Sequence, residues 1–274
     1  MKFFIIIFLL LNSNAILSGQ AISGTVFEMN SEMTIEYVNI GIVGKNVGTV
    51  SDQNGRYRLL INPEYHNDTL RFSSIGYHSY SVKVSDFVSM NNGNVSLEKR
   101  EYELTEMVVR PRRFRERTLG VTTRVSLVHG CFMDSITGSE IGMLMKNEKI
   151  AFLKEVNLVV SNVLPCSFDS IFYRINIYKA DNNMQFENIL TNPVYVSASK
   201  REARNNITVD LRRLNLVIDG DFLVTFEGVK DLGVGRLCFP ASIFHKTYQR
   251  KASQGAWEIL PVGISMSAVV DVER

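Results

Sequence analysis

The sequence predicts an all-β chain of two β-sandwich domains. Three observations predict it. Apolar residues recur with period two in runs of about five residues. Turn-forming Gly, Asn, Asp and Pro punctuate those runs at short, regular intervals. An apolar stripe of period 3.6, the mark of an amphipathic helix, is hard to find anywhere along the chain.

The first 21 residues are of another kind. Lys2 precedes an apolar run, Phe3-Phe4-Ile5-Ile6-Ile7-Phe8-Leu9-Leu10-Leu11, and small or polar residues follow from Asn12 to Ala21. A basic start, an apolar stretch too short to span a bilayer and a small-residue zone describe a secretory signal peptide, with cleavage after Ala15, Gln20 or Ala21. No Cys ends the segment, which argues against a lipid-modified N-terminus. Beyond it, charged residues interrupt every apolar run, so no membrane span is expected once the signal is removed.

Residues 22–98 read as the first sandwich. Strands are expected at 22–27, 37–43, 57–61, 68–73, 80–84 and 95–98. Asp52-Gln53-Asn54-Gly55 separates two of them with an Asn-Gly pair suited to the positive φ of a tight hairpin. Residues 99–120 break the pattern. Arg110-Pro111-Arg112-Arg113-Phe114-Arg115-Glu116-Arg117 carries five arginines and a proline, a composition that cannot bury a core and reads as a solvated basic linker. From residue 121 to 274 alternation returns, with about eight strands expected and a jelly-roll-like sandwich as the architecture. In Phe172-Tyr173-Arg174-Ile175-Asn176-Ile177-Tyr178, alternation puts Phe172, Arg174, Asn176 and Tyr178 on one face and Tyr173, Ile175 and Ile177 on the other. Asp219-Gly220 is expected to turn a hairpin into the strand at 222–227.

The bulk numbers fit this reading. In 274 residues, 45% are hydrophobic and 21% charged, enough for two ordinary cores. A net charge of +2 gives no basis for nucleic-acid binding. Cys131, Cys166 and Cys238 are odd in number, so at most one pair closes; a disulfide and buried thiols both remain open at this point.

Residues 22–109 resemble the carboxypeptidase-regulatory-like domain, a transthyretin-like sandwich of exported and outer-membrane proteins, TonB-dependent receptors among them. The resemblance rests on Ile22-Ser23-Gly24-Thr25-Val26, on Gly48-Thr49-Val50-Ser51-Asp52-Gln53-Asn54-Gly55-Arg56-Tyr57, on Asp68-Thr69-Leu70-Arg71-Phe72-Ser73-Ser74-Ile75-Gly76-Tyr77, and on Leu104-Thr105-Glu106-Met107-Val108-Val109 after the domain. It implies an envelope protein. It does not imply a transporter, because only about 155 residues follow where a plug and barrel would need many more strands.

Catalytic chemistry finds no foothold. His66, His78, His129 and His245 lack the HxxE or HExxH spacing that holds zinc in peptidases. GxSxG is absent. His129 and Cys131 would share a strand face about 7 Å apart, too far for a hydrogen-bonded pair. The glycine-rich stretch 228–235 lacks the order of a phosphate loop. Glu227 and Asp231 are ordinary candidates for paired carboxylates, whose separation is spatial and not sequential. The expectation is therefore no catalytic residue, no metal, no cofactor and no enzyme.

Binding has better candidates. Aromatic residues on an exposed sheet face can stack on sugars, and Trp257, Tyr248 and Tyr178 are the chosen ligand-contact residues, drawn from a reservoir that also holds Tyr173, Phe186 and Tyr195. Arg112, Arg113 and Arg115 could meet an acidic partner surface. The sequence thus predicts an exported, non-catalytic protein of the cell envelope, periplasmic or outer-membrane associated, acting as a scaffold or binding module for a protein or glycan partner. The alternatives are a carbohydrate-binding protein of a glycan-uptake system and a hydrolase whose site carries no recognisable motif.

Overall fold

A computed structural model describes residues 19–101, 114–124, 127–133, 137–161, 170–180, 186–199, 201–203, 206–231 and 236–273. Residues 1–18 of the segment read as a signal peptide, Cys166, Arg112 and Arg113 lie outside the described residues. Among those described, the chain is all-β in two sandwiches.

The first sandwich holds β1 (Gln20–Glu28), β2 (Asn39–Ile42), β3 (Gly48–Val50), β4 (Arg56–Ile61), β5 (Thr69–Ser73), β6 (Tyr80–Lys83) and β7 (Val95–Leu97), with one short helix α1 (Val84–Ser89). One sheet has the order β4-β1-β7 and the other β3-β2-β5-β6. Alternation explains the core: in Arg56–Ile61, Tyr57, Leu59 and Ile61 point inward and their neighbours point to solvent. They meet Ile40, Ile42, Leu70 and Phe72 of the facing sheet, and α1 adds Val84 and Phe87. β1 begins at Gln20, which pairs with Ile61, so residues 20 and 21, read from the sequence as the end of the leader, lie in the first strand of the sandwich.

The second sandwich holds β8 (Phe114–Gly120), β9 (Val128–Met133), β10 (Glu140–Met145), β11 (Ala151–Leu158), β12 (Ser170–Ala180), β13 (Phe186–Asn188), β14 (Val194–Ser199), β15 (Ile207–Asp210), β16 (Val217–Ile218), β17 (Phe222–Gly228), β18 (Arg236–Ser242), β19 (Thr247–Arg250), β20 (Glu258–Leu260), β21 (Gly263–Ile264) and β22 (Met266–Glu273). The largest sheet runs β13-β12-β17-β10-β19-β20, with β14 also on β12; the second runs β15-β11-β22-β8, with β16 on β11; a third runs β21-β18-β9. Their inner faces share one apolar core that includes Met143, Val156, Ile175, Val224, Phe239 and Val270. Cys131 and Cys238 face each other across β9 and β18 and form a disulfide, with Cα atoms 4.1 Å apart.

Three expectations are corrected here. Residues 114–120, read as the end of a basic linker, form strand β8, because its backbone pairs along the whole length of β22 while the arginines stay in solvent. Asn54-Gly55 does not close a hairpin. Gly55 takes φ +72°, but β3 pairs with β2 and β4 with β1, so the turn carries the chain from one sheet to the other. Asp219-Gly220 does the same between β16 and β17, which lie in different sheets. A positive-φ glycine supplies the reversal, whereas burial of the alternate faces selects the ladder partner.

The two sandwiches meet along the outer face of β12. Tyr37, Val50 and Val229 pack with Phe172 and Tyr195, the Tyr37 ring lying 5.4 Å from Phe172 and 5.3 Å from Tyr195. Gly41 and Gly48 face the Ser253 carbonyl so closely that a Cβ on either would come within 2.1 and 2.3 Å of it. Glycine is required at both positions because backbone packs on backbone. Gln254 ties this contact down through its carbonyl, which accepts from the Gly44 amide at 2.9 Å, and its amide, which donates to Ser73 Oγ at 2.7 Å.

Candidate binding cleft at the domain junction

The registers of four adjacent strands line up Arg174 of β12, Glu227 of β17, Glu140 of β10 and Arg250 of β19 in a single row across the sheet. All four share the face turned toward the first sandwich. Arg174, Glu140 and Glu227 are at most 2% exposed. Ionised groups survive such burial only when paired, and the sequence +, −, −, + balances the row.

The pairing is extensive. Arg174 Nε and Nη2 donate to Glu227 Oε2 at 3.0 and 2.8 Å. Its remaining donors cross the junction, Nη1 to the Tyr37 carbonyl at 2.7 Å and Nη2 to Asn39 Oδ1 at 2.6 Å. Tyr37 holds φ +49°, a backbone state bulky residues seldom adopt, and this turn aims its carbonyl at the guanidinium. Asn176 Nδ2 bridges the two carboxylates, 2.8 Å from each. Glu140 Oε1 also accepts from the Tyr178 hydroxyl at 2.9 Å and from Thr225. Arg250 Nη2 lies 2.5 Å from Glu140 Oε2 and 4.0 Å from Glu227 Oε1.

The electrostatics follow from this geometry. Burial alone would raise the Glu227 carboxyl, but the Arg174 and Arg250 charges, helped by the Asn176 amide, outweigh it and hold the group below its usual value. Burial, then the Glu140 charge, pushes the Tyr178 phenol well above its ordinary value, so it serves as a hydrogen-bond donor. Burial acts against the charge of Arg250, and Glu140 with Tyr178 and Glu227 overcomes it.

Above this row, between the sandwiches, lies a cavity of about 220 Å³. Arg71, Ser73, Tyr77 and Arg100 line it from the first sandwich; Arg174, Asn176, Tyr178, Phe186, Asn188, Arg250 and Gln254 line it from the second. Glu140 and Glu227 sit behind that wall and are not part of the lining. Guanidinium, amide, hydroxyl and aromatic groups, with Glu187 as the one carboxylate residue of the lining, therefore surround the cavity, an arrangement that can hold a polar ligand by hydrogen bonds with a ring stacked beside it.

Of the sequence-selected ligand contacts, Tyr178, Tyr248 and Trp257 come together around Phe186. The Phe186 ring lies 5.2 Å from Trp257, 5.8 Å from Tyr248 and 6.2 Å from Tyr178. Arg250 stacks on Trp257 at 5.1 Å. Tyr178 is buried and lines the cavity; Trp257 and Tyr248 are half-buried and brace Phe186 and Arg250 from outside it. Arg115 is exposed on β8, opposite Val272, and does not belong to this site. Among the described residues no group of three or more His, Cys, Asp or Glu could hold a metal. Asn39, Glu140, Arg174 and Arg250 were not selected from the sequence. The only trace of them there was the Arg174-x-Asn176-x-Tyr178 alternation, and Glu227 as an ordinary carboxylate.

Comparison with known proteins bears on the first sandwich. Residues 22–109 match the family described as CarboxypepD_reg-like domain, about a third of the chain. The first sandwich is similar to domains of this type. Such domains are regulatory and have no catalytic centre of their own. No curated protein matches the chain. Among solved structures, one of infectious bursal disease virus, Gx strain, overlaps 93% of this chain and 55% of its own at 9% identity, with a TM-score of 0.23. The VP2 subviral particle of the same virus overlaps 92% of this chain and 63% of its own at 9% identity, with a TM-score of 0.18. The chain thus spans less than two thirds of either, and superpositions at this level do not establish a shared fold. Among the described residues no helix is long and apolar enough to cross a membrane.

Proposed function

We propose that the chain is an exported, non-catalytic binding module of the cell envelope, and that its ligand occupies the cleft between the CarboxypepD_reg-like domain and the second sandwich. One observation carries the reading: both sandwiches contribute polar and aromatic side chains to a single cavity, whose floor is a charge-balanced, buried ion row. The row favours binding over catalysis. Its two carboxylates lie behind the cavity wall, each engaged with a guanidinium, whereas a general acid or nucleophile must reach the reacting bond. Export is supported by the apolar leader and by the Cys131–Cys238 disulfide, a bond that persists in oxidising compartments. The CarboxypepD_reg-like domain also supports an envelope setting by its resemblance to the domain that precedes TonB-dependent receptors; the second sandwich we read as jelly-roll-like.

A glycan suits the cavity better than a protein surface. The cavity of about 220 Å³ is small enough to suit a single ring with its substituents, and the lining pairs Phe186 and Tyr77 with guanidinium and amide donors. The test is a glycan array probed with the full chain and with Arg71→Ala and Phe186→Ala variants. Binding that falls about tenfold or more in both variants is expected. Array binding unaffected by either change, or no glycan binding alongside capture of an envelope protein that ignores both changes, would overturn the cleft as the site.

A further inference from the structure

The three most exposed large apolar side chains of the described residues are Leu127, Phe244 and Ile243, at 103%, 87% and 63%. Ile243 and Phe244 are neighbours in one turn and Leu127 lies more than 100 residues earlier, yet the strand registers bring them to one end of the three-stranded sheet. Ala241 pairs with Val128 and Ser242 with Gly263, so the next residues outward are Leu127 on one flank, Ile243 in the centre and Val262 on the other. Three separate connections thus bring apolar side chains to a single tip of the sheet, Leu127, Ile243 and Phe244 exposed and Val262 half-buried.

The central turn is built and not merely extended. Ser242 Oγ accepts the Phe244 amide at 3.3 Å and lies 3.1 Å from His245 Nδ1, and His245 rests against Gly263, where an added Cβ would come within 2.4 Å of the His245 Cβ. These contacts face inward and leave the Phe244 ring pointing out. The charges within these connections have one sign. Lys246 is exposed beside the turn and Arg124 is exposed three residues before Leu127, while residues 121–131, 242–250 and 259–264 contain no Asp or Glu.

We propose that this tip inserts into the headgroup region of an anionic lipid surface. Contiguous exposed apolar groups mark an interaction site. Exposed apolar residues at the end of the sheet, with Lys246 beside them and no carboxylate in the same connections, match the gradient from acyl chain to anionic headgroup. The inference is independent of the cleft, which lies at the junction with the first sandwich. It gives the chain a direct, peripheral contact with a membrane.

The test uses the full chain with Phe244→Trp, mixed with vesicles of phosphatidylethanolamine containing a minority of phosphatidylglycerol. The wild type, with Trp257 alone, is the blank. A blue-shifted emission from the new tryptophan, quenched by bromine-labelled acyl chains, is expected; because the signal is local to the tip, the apolar leader does not produce it. Vesicle binding of Leu127→Ser/Ile243→Ser/Phe244→Ser is expected to weaken about tenfold or more, and Lys246→Glu to weaken binding to the anionic vesicles only. An unshifted tryptophan, or equal vesicle binding by wild type and triple variant, would sink the proposal. So would a concentration-dependent dimer abolished by the triple substitution, which would make a second copy of the chain the occupant.

Discussion

Replacing Arg174 with methionine should separate the two sandwiches energetically. The side chain is 2% exposed and makes four hydrogen bonds, two to Glu227 and one each to the Tyr37 carbonyl and Asn39. Methionine keeps most of the length and apolar stem but leaves Glu227 ionised in a dry site, with Asn176 and a guanidinium 4.0 Å away as its remaining support. Breaking one side of a buried ion pair costs about 3–5 kcal/mol, a large part of the roughly 5–15 kcal/mol that holds a domain folded. Urea denaturation followed by Trp257 fluorescence, which reports the second sandwich, and by far-ultraviolet circular dichroism, which reports both, gives the measurement. In Arg174→Met the two transitions should part, because the fork that joins the sandwiches is gone. Adding Glu227→Gln should recover part of the loss, with a coupling of about 2 kcal/mol or more across the double-mutant cycle. A shift within about 0.5 kcal/mol for the single variant, or strict additivity in the cycle, would refute the view that this pair holds the junction.

The remaining predictions concern pH, the disulfide and the glycine contact. Glu227 is held below its ordinary value of 4.5, so its contribution is complete above that pH and is lost as acid drives the pH down through the lowered value. Acid unfolding of the wild type should thus steepen below about pH 4.5, and Glu227→Gln should flatten that limb; identical acid limbs would exclude the assignment. Cys131→Ala/Cys238→Ala opens a covalent loop closed over a separation of 107 residues and should cost about 2–5 kcal/mol, read as a lowered Tm that reductant no longer changes. A Tm equal to that of the oxidised wild type would show that the link is not stabilising. Gly41→Ala should force the sandwiches apart, since its Cβ would fall 2.1 Å from the Ser253 carbonyl; overpacking of this kind costs about 1–3 kcal/mol. Faster limited proteolysis at the junction, with both sandwiches still folded, is the expected readout, and unchanged cleavage would count against the contact.

Local physics made the fold class legible. Period-two alternation over Arg56–Ile61 and over 172–178 is a property of neighbouring residues, and the faces it assigns are those found: Tyr173, Ile175 and Ile177 enter the core. Pairing partners were not legible. Asn54-Gly55 and Asp219-Gly220 specify a reversal but not which sheet receives the next strand, and the stretch 114–120 looked like linker because the arginines of 110–117, two of them in the strand itself, mask a backbone that still pairs with β22. The jelly-roll expectation named a strand number, and the described residues hold more strands, shared among three sheets.

The candidate site was hidden for a related reason. Alternation assigns Arg174, Asn176 and Tyr178 to a polar face, and a polar face ordinarily means solvent. Here the first sandwich covers it, so a charged row is buried at a junction where apolar residues of the same shape would cost less. We infer that the row is retained for orientation. Apolar faces tolerate sliding, whereas a planar guanidinium donating at once to Glu227, the Tyr37 carbonyl and Asn39 fits a single relative placement of the sandwiches. The Arg174→Met/Glu227→Gln protein separates orientation from stability, because it restores charge balance without restoring the fork. Spin labels on exposed positions of the two sandwiches should then give a broader distance distribution in the double variant than in the wild type, even where the melting transitions are similar. Equal widths would mean that the Gly41 and Gln254 contacts already fix the junction, and that the ion row has no part in shaping the cleft.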